Sequence, residues 1–115
     1  MKLGDRVTFR RYYRRNDVYI NHENLTAEQE KELEETDRII LHRLVAVDLS
    51  KPLTGIIAGK RNMVLANNLG YGESRYNPES STFGCFDSDY VDLYLVAVNM
   101  SGFYRVPPEW LVPTP

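Results

Sequence analysis

Residues 3 to 15 read "LGDRVTFRRYYRR", and the fold turns on how this stretch is read. Leu3, Val7 and Phe9 alternate with Arg6 and Thr8, the two-residue period of a strand with one face on a core. Continued unbroken, that alternation would turn Arg11, Tyr13 and Arg15 inward, and an unpaired arginine in a core is very costly. A helix would instead set Arg10 against Arg14 and Arg11 against Arg15, like-charge pairs that repel. The stretch is therefore predicted to leave the core after Phe9 and to project as a strand, with "RRYYRR" at 10–15 as an exposed arm.

Working outward, the charge changes sign abruptly. Residues 1–15 hold six basic side chains and one acidic one, a balance of +5, and residues 16–37 hold one basic and eight acidic, −7. Within the acidic block, "LTAEQEKELEETDR" carries Thr26 followed three residues later by Gln29, a capping-box spacing. Strong helix formers follow, with acidic residues in the first turn where the helix dipole favours them. The spacing predicts one exposed acidic helix over about 26–38, attached only by Leu25, Leu33 and Ile40. For "IILHRLVAVDL" periodicity leaves helix and strand open, and its β-branched second half favours strand.

Beyond Pro52 the pattern is β. "TGIIAGKRNMVLA" is an apolar strand interrupted by Gly55 and Gly59, which suit bends or a close backbone approach. "NNLGYG" has turn composition, and residues 73–89 read as a long polar loop. "YVDLYLVAVN" and "FYRV" form a hairpin across "MSG", and "PPEWL" makes a short turn before the end. The expected architecture is a mainly β single domain over 1–115, α+β by count, with an inserted arm and helix at about 10–50.

The totals fit one ordinary soluble domain: 115 residues, 43% hydrophobic, 26% charged, net charge −2. No apolar run is long enough to cross a bilayer, and the first residues lack the apolar stretch of a signal peptide. Cys85 is the sole cysteine, so an internal disulfide is ruled out and a cytoplasmic location is expected.

"LGDRVTF", "TGIIAGKR", the hairpin and "PPEWLV" together resemble the strand order of SH3-like small β-barrels. That likeness implies a Gly-Asp turn into the first strand, a glycine-bearing strand across the barrel, and a 3-10 turn before the last strand. The segment 16–50 is additional to such a barrel. The acidic-aromatic "ALYDY"-type strand of proline-peptide-binding SH3 domains is missing, so that ligand class is not implied. The chain is also similar to small uncharacterised bacteriophage proteins that share the opening, a "G-x-x-x-G-x-R" strand and a "V-x-P-E-x-L-x-P" close. This second likeness implies a phage setting and a host cytoplasm, and brings no activity with it.

Catalytic patterns are sparse. A nucleophilic pair would need Cys85 beside His22 or His42, in unrelated segments; the simpler reading is a small semi-buried cysteine. A zinc site needs four clustered ligands. "DSDYVD" offers Asp87, Asp89 and Asp92 to a hard cation but lacks the glycine of a calcium loop. "GYGESR" has Arg75 where a dinucleotide-binding loop needs its last glycine. No enzyme activity and no cofactor or metal are expected.

Surface is what remains. Eight tyrosines and one tryptophan are many for this length, and tyrosine serves binding surfaces well. The candidate binding residues are Arg10, Arg11, Tyr12, Tyr13, Arg14, Arg15, Tyr19, Tyr71 and Tyr76. In the favoured reading the arginines pair with Glu28, Glu32, Glu35 or Asp37 of the helix, and the unit displays tyrosines to a protein partner or to a second copy. In the alternative, Arg10, Arg11, Arg14 and Arg15 contact nucleic-acid phosphates while Tyr12 and Tyr13 stack on bases, with Lys60 and Arg61 extending the track. A pI near 5.7 weighs against that alternative. No membrane partner is expected.

Overall fold

Strands account for most of a computed structural model that describes residues 1–17, 24–73, 81–99 and 102–114, giving the backbone alone for 71–73, 81–83 and 86. Six strands carry the chain: β1 (Arg6–Arg15), β2 (Ile39–His42), β3 (Leu44–Glu73), β4 (Ser81–Asn99), β5 (Gly102–Val106) and β6 (Val112–Pro113). One helix, α1 (Ala27–Thr36), and a 3-10 turn at Pro108–Trp110 complete the described elements. The fold is mainly β, as the alternating segments imply. The chain divides into two compact units, one of residues 1–15, 44–63 and 90–115 and the other of 16–43 and 64–89; β3 and β4 contribute to both.

In the first unit β1 pairs antiparallel with β3, and also with β5 and β6. β4 and β5 form the expected hairpin, from Tyr94 opposite Val106 to Asn99 opposite Gly102. Val7, Phe9, Ile57, Val96, Val106 and Leu111 make the core, with Tyr12 and Tyr104 packed against it.

The arm expected at 10–15 is corrected here. It is a paired strand, Arg11 opposite Asp48 through to Arg15 opposite Leu44. The expected cost of inward arginines is avoided by a register shift: Phe9 lies opposite Leu53, but Arg11 lies opposite Asp48. Such a shift lets a strand change the face it presents. Val7 and Phe9 are in the core before it and Tyr12 after it, so the arginines stay exposed without leaving the sheet. Ser50, Lys51 and Pro52 of β3 fall opposite this shift, between Asp48 and Leu53.

The second unit is smaller. Thr26 and Gln29 form the capping box, each side chain bonded to the other's backbone N–H at 3.2 and 3.0 Å. No residue of α1 is fully buried; Leu25 and Leu33 pack on Ile39, Leu41 and Leu69. Ile40, expected to anchor the helix, is instead exposed, because Ile39–His42 is a strand whose alternate residues Ile39 and Leu41 point inward.

"NNLGYG" and residues 81–89 are strand rather than turn and loop; residues 74–80 lie outside the described residues. Pairing overrides turn composition at Asn67 and Asn68, which face Leu41 and Ile40. Asn67 accepts from Arg43 Nε at 2.6 Å and donates to Ser88 Oγ at 2.8 Å.

Gly55 is the close approach its sequence context suggests. A Cβ there would sit 2.6 Å from the Ala97 carbonyl oxygen and 2.8 Å from Val96 Cγ1. Gly59 is roomier, with Leu95 Cδ1 at 3.6 Å. Gly55→Ala is expected to lower stability by roughly 1–3 kcal/mol in urea unfolding, and Gly59→Ala by less than about 1 kcal/mol. Equal effects would contradict the packing of β3 on β4.

Candidate binding surface of the arginine strand

Reversed alternation sorts the β1 side chains into two environments. Tyr12 turns to the core, where its ring meets Tyr104 edge-on at 4.8 Å, and Tyr104 lies 5.4 Å from Phe9. Arg11 and Tyr13 turn the other way, and both meet Trp110. The Tyr13 and Trp110 ring centroids are 4.7 Å apart, and the Arg11 guanidinium carbon lies 4.7 Å from the Trp110 ring centroid. The 3-10 turn places Trp110 here, held by Trp110 N–H to the Pro107 carbonyl at 3.1 Å. Trp110 also packs on the core cluster.

Arg11 has its own carboxylate: Nε lies 2.8 Å from Asp48 Oδ1 on the paired strand. Its expected partners were the helix acids; the observed one comes from β3. Both members are substantially exposed, so the pair contributes at most about 1 kcal/mol and acts mainly to orient the guanidinium over the indole. On α1, Glu32 accepts from the Ile40 N–H at 3.3 Å.

Arg15 continues the same face, two residues beyond Tyr13. Tyr13 lies opposite Arg105 of β5, and directly opposed residues share a face. Arg15, Arg61, Arg105, Met63, Leu95 and Phe103 line one open cavity of about 390 Å³. A second, apolar groove of about 540 Å³ includes Phe9, Arg10, Pro52, Trp110, Val112 and Pro113. Arg10 and Arg14 are exposed.

The first unit thus gathers Arg10, Arg11, Tyr13, Arg14 and Arg15 with residues that the charge pattern did not single out, Arg105, Phe103 and Asp48. "FYRV" held the signal: Tyr104 and Val106 face the core, so Phe103 and Arg105 must face outward. Tyr19 and Tyr76 lie outside the described residues, as does the side chain of Tyr71.

Charge is partitioned by unit. The first unit holds ten basic and four acidic side chains, +6, and the second four basic and twelve acidic, −8. The low overall pI averages two oppositely charged bodies.

Cys85, expected to be semi-buried, is exposed, with Sγ 3.3 Å from the Asp87 carbonyl. Asp87 accepts from the Ser88 N–H and Asp92 from Asn62. Among the described residues no three His, Cys, Asp or Glu side chains group as a metal site. No helix among the described residues is long and apolar enough to cross a membrane. No family model matches the sequence, and neither the curated proteins nor the solved structures searched show a significant similarity to it.

Trp110 is the sole tryptophan, so its fluorescence reports this stack. Arg11→Gln or Tyr13→Ala is expected to red-shift the emission as water reaches the ring, while Tyr12→Phe leaves it in place. An unchanged spectrum in both of the first two variants would contradict the stack.

Proposed function

We propose that this protein is a non-catalytic binding module, built on an SH3-like small barrel, that carries a single strand of nucleic acid across the arginine face of β1. The barrel assignment is supported by the circuit of pairings: β3 neighbours β4, β4 neighbours β5, β5 neighbours β1, and β1 pairs again with β3. The functional reading rests on one observation above others: Arg11 and Arg15 flank the half-buried ring of Tyr13 on one strand face within a unit of charge +6. Along β1, Arg11, Tyr13 and Arg15 stand about 7 Å apart in succession. Guanidinium groups follow a phosphate backbone, and flat rings accept bases of any sequence. The acidic pI that weighed against this reading belongs to the chain as a whole, and its acidic side chains lie mostly in the other unit.

A protein partner is the second reading. The apolar groove beside Trp110 favours it, since a tryptophan-walled slot of about 540 Å³ suits an apolar side chain. The partner would be a host protein if the bacteriophage likeness holds, or a second copy of this chain.

Fluorescence anisotropy with a labelled oligothymidylate separates the two. Binding is expected at low salt, with affinity falling as salt rises by roughly 0.7 log units per log unit for each phosphate contacted. Arg15→Ala should reduce that slope by about 0.7. No binding at low salt, or binding indifferent to salt, would overturn the nucleic-acid reading and leave the protein partner.

A further inference from the structure

The cavity between Arg15, Arg61 and Arg105 holds more positive charge than a strand's internal phosphates require. We infer that it is the seat of a terminal phosphate monoester, at the end of the nucleic-acid strand, with Phe103 as the platform for the terminal base. The inference rests on the nucleic-acid reading above and adds where the strand ends and what chemistry marks that end.

Three guanidinium groups reach this cavity from three different strands, β1, β3 and β5, and no carboxylate lines it. Neither the Arg15 nor the Arg105 side chain has a hydrogen-bond or ion-pair partner among the described residues. Arg61 donates Nη1 to the Lys60 carbonyl at 2.7 Å, which leaves most of its five N–H groups available. Arg11, on the same strand, shows the alternative: where β3 supplies a carboxylate, the guanidinium takes it at 2.8 Å. Arg105 is half-buried between Tyr13 and Leu95, its opposed neighbours on either side. A partly desolvated charge without a counter-charge is costly, and an anionic ligand offsets that cost.

The ligand's chemistry follows from the charge count. An internal phosphodiester carries one negative charge and exposes two free oxygens. A terminal monoester carries between one and two at neutral pH, because its second ionisation lies near pH 6, and exposes three acceptor oxygens. Three guanidinium forks match three oxygens and a dianion better than they match a diester or a carboxylate. Phe103 is 58% exposed beside them, with an open ring face for a base. Leu95 and Met63 complete the cavity with apolar surface.

The test compares one oligothymidylate in three forms, with a 5′-phosphate, a 3′-phosphate or hydroxyls at both ends, by competition anisotropy at constant salt. One phosphorylated end is expected to bind roughly tenfold tighter than the hydroxyl form. That preference should shrink at pH 5, where the monoester loses its second charge, and disappear in Arg61→Ala and Arg15→Ala, both exposed positions, as well as in Arg105→Gln. Equal binding of all three forms would overturn the seat while leaving strand binding intact; no binding of any form would overturn both. A phosphorylated peptide that displaces the oligonucleotide more effectively than the phosphorylated strand would overturn the strand-end assignment.

Discussion

The register shift between Phe9 and Arg11 is the constraint from which the rest follows. Without it, a strand beginning with Val7 and Phe9 in the core would carry Arg11, Tyr13 and Arg15 there too, at a desolvation cost no small core can bear. With it, Tyr12 takes the inward place against Tyr104, and Arg11 and Arg15 line the opposite face while β1 stays paired with β3. The shift also brings Arg11 opposite Asp48 and lets Tyr13 reach Trp110. Core packing and surface chemistry are consequences of one change in pairing.

Charge partition gives the chain its second organising feature. A net charge of −2 suggests a near-neutral body, yet the two units carry +6 and −8. The field near a surface is set by the charges close to it, since screening at physiological salt acts over about 8 Å. Arg11 is already neutralised by Asp48, whereas Arg15 and Arg105 carry charge toward the cavity without a counter-ion among the described residues. Within one face, one arginine is committed to structure and its neighbours remain open to a ligand.

Much of the architecture was legible because local rules and tertiary packing agree. Thr26 and Gln29 announced the helix start, the "YVDLYLVAVN…FYRV" pair announced the hairpin, and "PPEWL" a short turn. Legibility failed where packing decides. Asn67 and Asn68 have turn-forming side chains, but β2 pairs with them and Arg43 and Ser88 satisfy Asn67. The 10–15 stretch posed the right problem, arginines that must not be buried, and alternation cannot show that the answer is a shifted register, because a shift depends on the partner strand. The candidate surface was half visible for the same reason: contiguous arginines stand out in a sequence, while Arg105 and Phe103 join them only through pairing.

The most direct measurement is the set of nuclear Overhauser contacts among aromatic rings in solution. The register shift predicts Tyr12 protons close to the Tyr104 ring and Tyr13 protons close to the Trp110 indole, with strand contacts linking the Arg11 and Asp48 backbones. Unbroken alternation would instead bring Tyr13 against Tyr104 and leave Tyr12 beside Trp110. That pattern would contradict the account at its root, since it would send Arg11 and Arg15 into the core.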